Sequence, residues 1–440
     1  MLFFKNLTLL LVTIPLVATT LPQLIERGLA ENSAIKKTEL QIDLMRTKQE
    51  ESIAKQFGNL DLIGSYTHYS TPRTLAPIVP SSLSPTSSVD TTSNLFSSAL
   101  QFSMPLFTGG ALKEQVYIDK ISERMGESRR ALTKEELIYN IRSLYLSALS
   151  LQEIILSQEQ YVVALESLSQ TISFGVEVGK KAKIELLKAD NNLQEARGKV
   201  VVSQSSLRLV KETLEALTHH NNIGHLEPLE VSISSLDGSI KPADLEQLER
   251  FKLQDFEIEK GSKLIHKVEA LQKPQVALSS YVGHNYDFDQ IDPIENEYLW
   301  QVMVNVKWNL FDFGVNEAKV QQAKIAKLQS VVAKETTTEG FKKLFAKAKN
   351  EIETALSNHE TISSQYALLQ ESQMIEEARY DAGVATLNDL LLAKSKTQLS
   401  KAQMIQSRYA YQNGVFYLEY LLERGVNSIS SNKNLSYGER

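Results

Sequence analysis

Seven histidines, no cysteine and a net charge of −6 bound the chemistry open to this 440-residue sequence. Without cysteine there is no disulfide, no thiolate metal site, no cysteine nucleophile and no lipid anchor through an N-terminal cysteine. The histidines are scattered except for His219, His220 and His225. To hold a metal, these three would have to converge and find a fourth ligand; a polar loop accounts for them as well. His359 falls on an apolar helix seam and reads as a core or lumen residue. No phosphate loop, nucleophile elbow or paired-carboxylate spacing stands out from ordinary helix surface. No catalytic residue, cofactor or metal is therefore assigned, and the chain is not read as an enzyme. The mild acidity argues against nucleic acid as a partner, which needs a basic face. One basic cluster remains, Gly179-Lys180-Lys181-Ala182-Lys183. Lysines crowded at a turn between helices suit an acidic partner surface, or are simply solvated.

The elements that carry these residues occur twice. Met104-Pro105-Leu106-Phe107-Thr108-Gly109-Gly110 aligns with Trp308-Asn309-Leu310-Phe311-Asp312-Phe313-Gly314 at an offset of 204. Gly179 and Glu185-Leu186-Leu187-Lys188-Ala189 align at the same offset with Gly383 and Asp389-Leu390-Leu391-Leu392-Ala393. Two motifs that keep one offset across about 70 residues mark two structural repeats, roughly 58–217 and 274–421.

Each repeat opens with period-two sequence. Trp300, Val302, Val304, Val306, Trp308 and Leu310 alternate with Gln301, Met303, Asn305, Lys307 and Asn309; Phe96, Leu100, Phe102, Met104 and Leu106 do so less cleanly. This gives one greasy and one polar strand face. Weaker candidates, Leu60–Tyr69 and Val276–Tyr286, precede them, so each repeat carries a hairpin and the chain four strands. The first hairpin's connection, Ser70–Asn94, is crowded with proline and serine and reads as a loop without regular structure. The second, around Asp287–Asn296, is shorter and acidic.

After each hairpin the period changes. Leu137, Ile141, Leu144, Ala148, Leu151, Ile155, Gln158, Val162, Leu165, Ser169 and Ile172 form a heptad seam. The same register recurs from Phe341 to Glu376. Phe107 to Gly179 and Phe311 to Gly383 each span 72 residues, roughly 100 Å of helix, as one helix or two stacked. A glycine turn and a shorter return helix follow each. The reading divides the chain into a signal peptide at 1–20, with Lys5 before the apolar run Leu7–Ala18, and a first repeat at 21–217. That repeat holds an N-terminal helix over 21–57, strands near 60–69 and 94–106, and a helical hairpin near 108–217. An equatorial linker region and helix occupy 218–273. The second repeat, 274–425, has strands near 276–286 and 298–310 and a hairpin near 314–423; a flexible tail covers 426–440.

Four strands cannot close a barrel, and an open edge in lipid leaves backbone groups unpaired at several kcal/mol each. If the strands span a membrane, several chains must pool them: eight from two copies, or twelve, with a lumen, from three. Phe102, Met104, Trp300, Val302, Val304 and Trp308 would then face lipid. The rivals are a periplasmic structural coiled-coil protein without a pore and a solute-binding or adhesion module.

Pro-Leu-Phe-Thr-Gly-Gly at 105–110, Asn-Leu-Phe-Asp-Phe-Gly at 309–314 and the run Tyr380 to Ala393 resemble the TolC-type outer-membrane efflux proteins, the outer membrane factor family. The resemblance covers nearly the whole mature chain. It implies an α+β membrane protein and a homotrimer. Its 12-stranded β-barrel, four strands per protomer, would join a long α-helical coiled-coil periplasmic tunnel. It implies the exit duct of a tripartite efflux or type I secretion system in the outer membrane, extending into the periplasm. Partners would be a periplasmic adaptor (membrane fusion) protein and, indirectly, an inner-membrane transporter of RND or ABC type. Docking would use the hairpin tips, Gly179, Lys180, Lys181, Lys183, Gly383 and Thr386. The family closes its periplasmic aperture with a polar network. Tyr380 and Asp389 match it, and Glu185 stands as the acidic partner. Ala385 replaces an arginine and Leu392 a second aspartate of the family member compared, so the ionic latch looks depleted. The resemblance then leaves a Tyr380–Glu185 hydrogen bond and a single ring of Asp389, whose three charges would favour cations; alternatively Asp389 caps the return helix. The exported substrate is not identified.

Overall fold

The structure, a computed structural model, describes residues 19–84, 89–230, 242–287 and 296–425. The expected signal peptide, apart from its last two residues, lies outside the described residues. So do the tail, the acidic connection at 288–295 and residues 231–241 of the linker region. The helices are α1 (Leu21–Glu31), α2 (Ser33–Ala54), α3 (Ala111–Glu177), α4 (Lys183–Thr218), α5 (Glu249–Ala270), α6 (Val315–Asp381) and α7 (Leu387–Leu421). The strands are β1 (Asn59–Thr74), β2 (Thr91–Phe107), β3 (Gln275–Asp287) and β4 (Asn296–Lys307). Among the described residues no helix is long and apolar enough to cross a membrane.

Both outgoing rods are single helices of 67 residues, not stacked pairs. Neither contains a proline, and no break in the apolar pattern demands one. The N-terminal helix expected over 21–57 is instead two. Asn32 takes an extended conformation between them. Its side-chain oxygen accepts from Ala34 N at 2.9 Å and its amide donates to Leu217 O at 3.0 Å, so it starts the second helix while tying the break to α4.

The chain divides into two compact units. The first comprises the described residues within 1–37, 130–249 and 338–440. Its core joins α1 to the later part of α3, α4 and α7 through Leu24, Ile25, Ile141, Leu214, Leu226 and Phe416. Each such side chain contributes about 1.5–3 kcal/mol on burial. The α3 seam is the buried side of that helix: Leu137, Ile141, Ala148, Ile155, Leu165 and Ile172 are all buried. Along α6 the equivalent seam is buried at Phe341, Ala348 and Ile352, then half-buried onward from Ala355. Tyr145 sits in this core, and its hydroxyl donates to Glu227 O at 2.6 Å. Burial pushes its pKa up to about 12, so it stays a neutral donor. Tyr145→Phe strands that carbonyl and should destabilise the fold by about 1–3 kcal/mol, read as a lower thermal midpoint in detergent.

The second unit comprises residues 38–129 and 250–337. It holds one antiparallel sheet in the order β1-β2-β3-β4. The registers place whole rows of side chains on one face. Leu62, Leu100, Val282 and Trp300 stand abreast, beside Leu60, Phe102, Ser280 and Val302, and then Met104, Leu278 and Val304. The opposite face carries Asp61, Gln101, Tyr281 and Gln301 in one row. This alternation follows from the period of two in a pleated strand. Trp300, Val302 and Val304 are 67%, 63% and 58% exposed, whereas Phe102 and Met104, on an inner strand, are half-buried by their neighbours.

Three strand limits differ from expectation by three residues or more. The first connection is shorter than 70–94, because β1 runs to Thr74 and β2 begins at Thr91. A register shift between His68 and Arg73 absorbs Pro72, which cannot donate to a regular ladder. The connection also contains a 3-10 turn at Pro80–Leu83, and its first residue, Leu75, is buried. There Asn285 Nδ2 donates to Leu75 O at 2.6 Å. β4 stops at Lys307, short of Leu310. Trp308 lies beyond it, its indole donating to Gln272 O at 3.1 Å.

Candidate functional site

Both hairpin tips lie in the first unit and are built alike. Gly179 and Gly383 take left-handed φ values of 73° and 76°. This conformation strains any residue with a Cβ and reverses the chain after α3 and α6. Lys180 N and Lys181 N both donate to Gly175 O, and Val384 N and Ala385 N both donate to Arg379 O. These positions match under the offset of 204, so Lys181 and Ala385 are counterparts.

Lys181 thus holds in the first hairpin the place that Ala385 holds in the second, and it brings a cation to the tip. Its ammonium donates to the Tyr380 hydroxyl at 3.1 Å, lies 4.4 Å from that ring's centroid, and pairs with Glu185 at 3.5 Å. The Tyr380 hydrogen bond, chiefly, raises the Lys181 pKa, with Glu185 adding to it, so the ammonium stays charged at neutral pH. The direct Tyr380–Glu185 hydrogen bond expected from the resemblance is not formed, because Lys181 stands between the two groups. Gly175 makes room for it: a Cβ there would come within 2.7 Å of Lys181 Cγ. Tyr380 also packs on the tip core of Leu165, Ile172, Ala189, Leu193, Leu387 and Leu391.

Asp389 is the third residue of a capping box. Its carboxylate accepts from Thr386 N at 3.0 Å and Thr386 Oγ1 at 2.6 Å, and Thr386 Oγ1 accepts from Asp389 N at 3.3 Å. These bonds hold its pKa below the usual carboxylate range. Asp389 therefore does start α7, as the alternative reading had it, and remains exposed. Lys180 and Lys183 are exposed and form no ion pair among the described residues. A further tie was not anticipated: buried Lys394 pairs with Glu377 at 2.7 Å. Its counterpart, Asp190, accepts from Ser169 Oγ at 2.5 Å. Only the doubled position, not either residue alone, signals it in the sequence. Of the histidines, His220 accepts from Arg27 at 3.2 Å and His225 from Gln152 at 3.2 Å, so they serve separate contacts.

One sheet built of two repeated hairpins, mainly apolar on one face and open at both edges among the described residues, together with two long helical hairpins, defines a strand-sharing channel protein of the outer membrane. The sequence profile of the outer membrane efflux proteins matches residues 24–219 and 253–422. The chain belongs to the outer membrane efflux protein family. A search among curated protein sequences gives no match. Among solved structures, the fold is similar to CusC, described in terms of transmembrane channel formation, with a TM-score of 0.78 at 17% identity over 92% of each chain. It is similar to the outer membrane protein VceC from Vibrio cholerae, with a TM-score of 0.73 at 15% identity over 92% of this chain and 96% of that one. It is also similar to the open state of the Neisseria gonorrhoeae MtrE outer membrane channel, with a TM-score of 0.76 at 15% identity over 92% and 89%. At these identities the likeness is one of fold. The protein is an outer-membrane efflux duct, a channel rather than an enzyme, and acts with a periplasmic adaptor and an inner-membrane pump.

Proposed function

We propose that three copies of the chain close one barrel of twelve strands, and that their helical hairpins form a tunnel leading to it. The observation that carries this reading is the four-stranded sheet, apolar on one face and open at both edges. An edge left open in hydrocarbon costs several kcal/mol per backbone group, so the sheet must close on sister copies. Twelve strands leave a water-filled lumen, which eight do not. The polar face, with Gln101, Gln301 and Asn305, then lines the lumen. Phe102, Met104, Trp300, Val302, Val304 and Trp308 face lipid or its boundary.

The hairpin tips form the periplasmic aperture and the adaptor's docking surface. Tyr380, Lys181 and Glu185 latch the two tips of each protomer together. Three copies of Asp389 ring the mouth. Gly179, Gly383 and Thr386 shape the turns, and Lys180 and Lys183 offer charge to an acidic adaptor face. The adaptor couples the duct to a transporter of the RND or ABC type.

The mature protein in detergent should run as trimers that dissociate only on heating and should give discrete conductance steps in planar bilayers. A monomer soluble without detergent and silent in bilayers would overturn the reading in favour of a periplasmic coiled-coil protein. Asp389→Asn should reduce cation preference in the same bilayers. An unchanged reversal potential would leave Asp389 a helix cap alone.

A further inference from the structure

β1 and β4 are the edge strands, each with one ladder side that has no strand beside it among the described residues. The two repeats say how that side is filled. In the first, the β1–β2 ladder ends with Asn59 opposite Ser103; in the second, β3–β4 ends with Gln275 opposite Lys307. Ser103 and Lys307 are counterparts under the offset of 204, so Asn59 and Gln275 are too, and His68 corresponds to His284. The hairpins are thus the same unit in the same register.

β2 nevertheless runs on past Ser103, to Phe107. Those residues pair with the next repeat's strand: Met104 with Leu278, Pro105 with Ala277 and Phe107 with Val276. The matching residues Trp308–Phe311 have no such strand beside them, and β4 ends at Lys307. Trp308 and Leu310 still keep the alternation and are 58% and 76% exposed, as are Leu60 and Leu62 at 67% and 80% on β1. The missing end of β4 is therefore the mark of a missing neighbour, and that neighbour has the sequence of β1.

We infer that β4 of one copy pairs antiparallel with β1 of the next in the register that β2 and β3 already use. Gln101 opposite Tyr281 becomes Asn305 opposite Ser65; Leu100 opposite Val282 becomes Val304 opposite Tyr66. Met104 opposite Leu278 becomes Trp308 opposite Leu62, which draws Trp308 and Asn309 into the strand. Counted straight along, Asn296, the first residue of β4, meets Thr74, the last of β1. Val304 and Trp308 then share a face with Tyr66 and Leu62, while Asn305 and Ser65 stay on the polar side; farther along the same face Val302 meets His68 and Trp300 meets Ser70. A slip of one residue would turn the apolar row of β4 to the face that carries Asp61 and Ser65 of β1. The inference rests on the trimer reading and adds to it which residues meet.

Disulfide trapping tests it, since a chain without cysteine has no background thiols. The in-register pairs are Ser65→Cys with Asn305→Cys and Tyr66→Cys with Val304→Cys. One of the two is a hydrogen-bonded pair and the other is not, so disulfide geometry cannot hide both. The slipped controls combine Asn305→Cys with Ile63→Cys or with Thr67→Cys. Each displaces one thiol by about 7 Å along the strand, beyond the Cβ separation of about 3.5–4.5 Å that a disulfide spans. On mild oxidation at least one in-register pair should yield covalent trimers, about tenfold more than either slipped pair. Should the cysteine-free protein form no trimer at all, the trimer reading itself fails. A parent that remains trimeric while a slipped pair links better, or while neither in-register pair links, overturns the register alone.

Discussion

Arginine at Val302 should abolish heat-modifiable trimers and deplete the protein from outer-membrane fractions, whereas arginine at the adjacent Gln301 should leave both intact. The two residues are consecutive in the middle of β4 and point to opposite faces of the sheet. Val302 shares its row with Phe102 and Leu60; Gln301 shares its row with Tyr281, Gln101 and Asp61. A cationic side chain on the lipid face near the bilayer midplane costs about 2–4 kcal/mol per copy, while the lumen face tolerates it. Tripled, that is on the order of 10 kcal/mol, comparable to the whole stability of a typical folded domain. Both residues are exposed and both receive the same side chain, so the contrast reads chiefly the face. Should Gln301→Arg be the damaging variant, the faces are reversed and the barrel reading is wrong as drawn.

The second large effect is expected at the tips. Lys181→Glu removes the Tyr380 hydrogen bond and the cation–π contact, and sets a new carboxylate beside Glu185. A partly exposed cation–π contact contributes about 0.5–1 kcal/mol and an exposed ion pair about 0.2–1 kcal/mol. A loss near 1 kcal/mol per protomer becomes about 3 kcal/mol in the trimer, on the order of 100-fold in the ratio of open to closed apertures. Single-channel recordings should therefore show a larger, longer-lived open conductance. Tyr380→Phe, which keeps the ring but not the hydroxyl, should fall between the wild type and Lys181→Glu. If Lys181→Glu leaves conductance unchanged but weakens adaptor cross-linking, Lys181 belongs to the docking surface and not to the latch. Lys180→Glu with Lys183→Glu provides the converse control, expected to weaken cross-linking without changing conductance.

Much of this protein is written in local pattern. The offset of 204 exposes the repeat. The alternation from Trp300 to Val306 gives β4 and its two faces, and the heptads from Leu137 to Ile172 give the buried side of α3. Thr386 and Asp389, three residues apart, carry a capping box that needs no distant partner. Such features are legible because strand pleat, helix pitch and cap chemistry act over a few residues. The split at Asn32 was not legible, since its amide answers a carbonyl 185 residues away in α4. Nor was the contact of Lys181 with Tyr380: the lysine reads as one of a tip cluster that docks a partner or is solvated, until folding brings Tyr380, 199 residues on, to its ammonium. The end of β4 at Lys307 contradicts its own alternation because a strand persists only where another strand bonds it. The sequence by itself determined the repeated hairpins, their faces and their rods, through periodicities intrinsic to the backbone. Only the tertiary structure decided which charge meets which ring and where an edge stays open, because those choices depend on groups that the chain brings together from far apart.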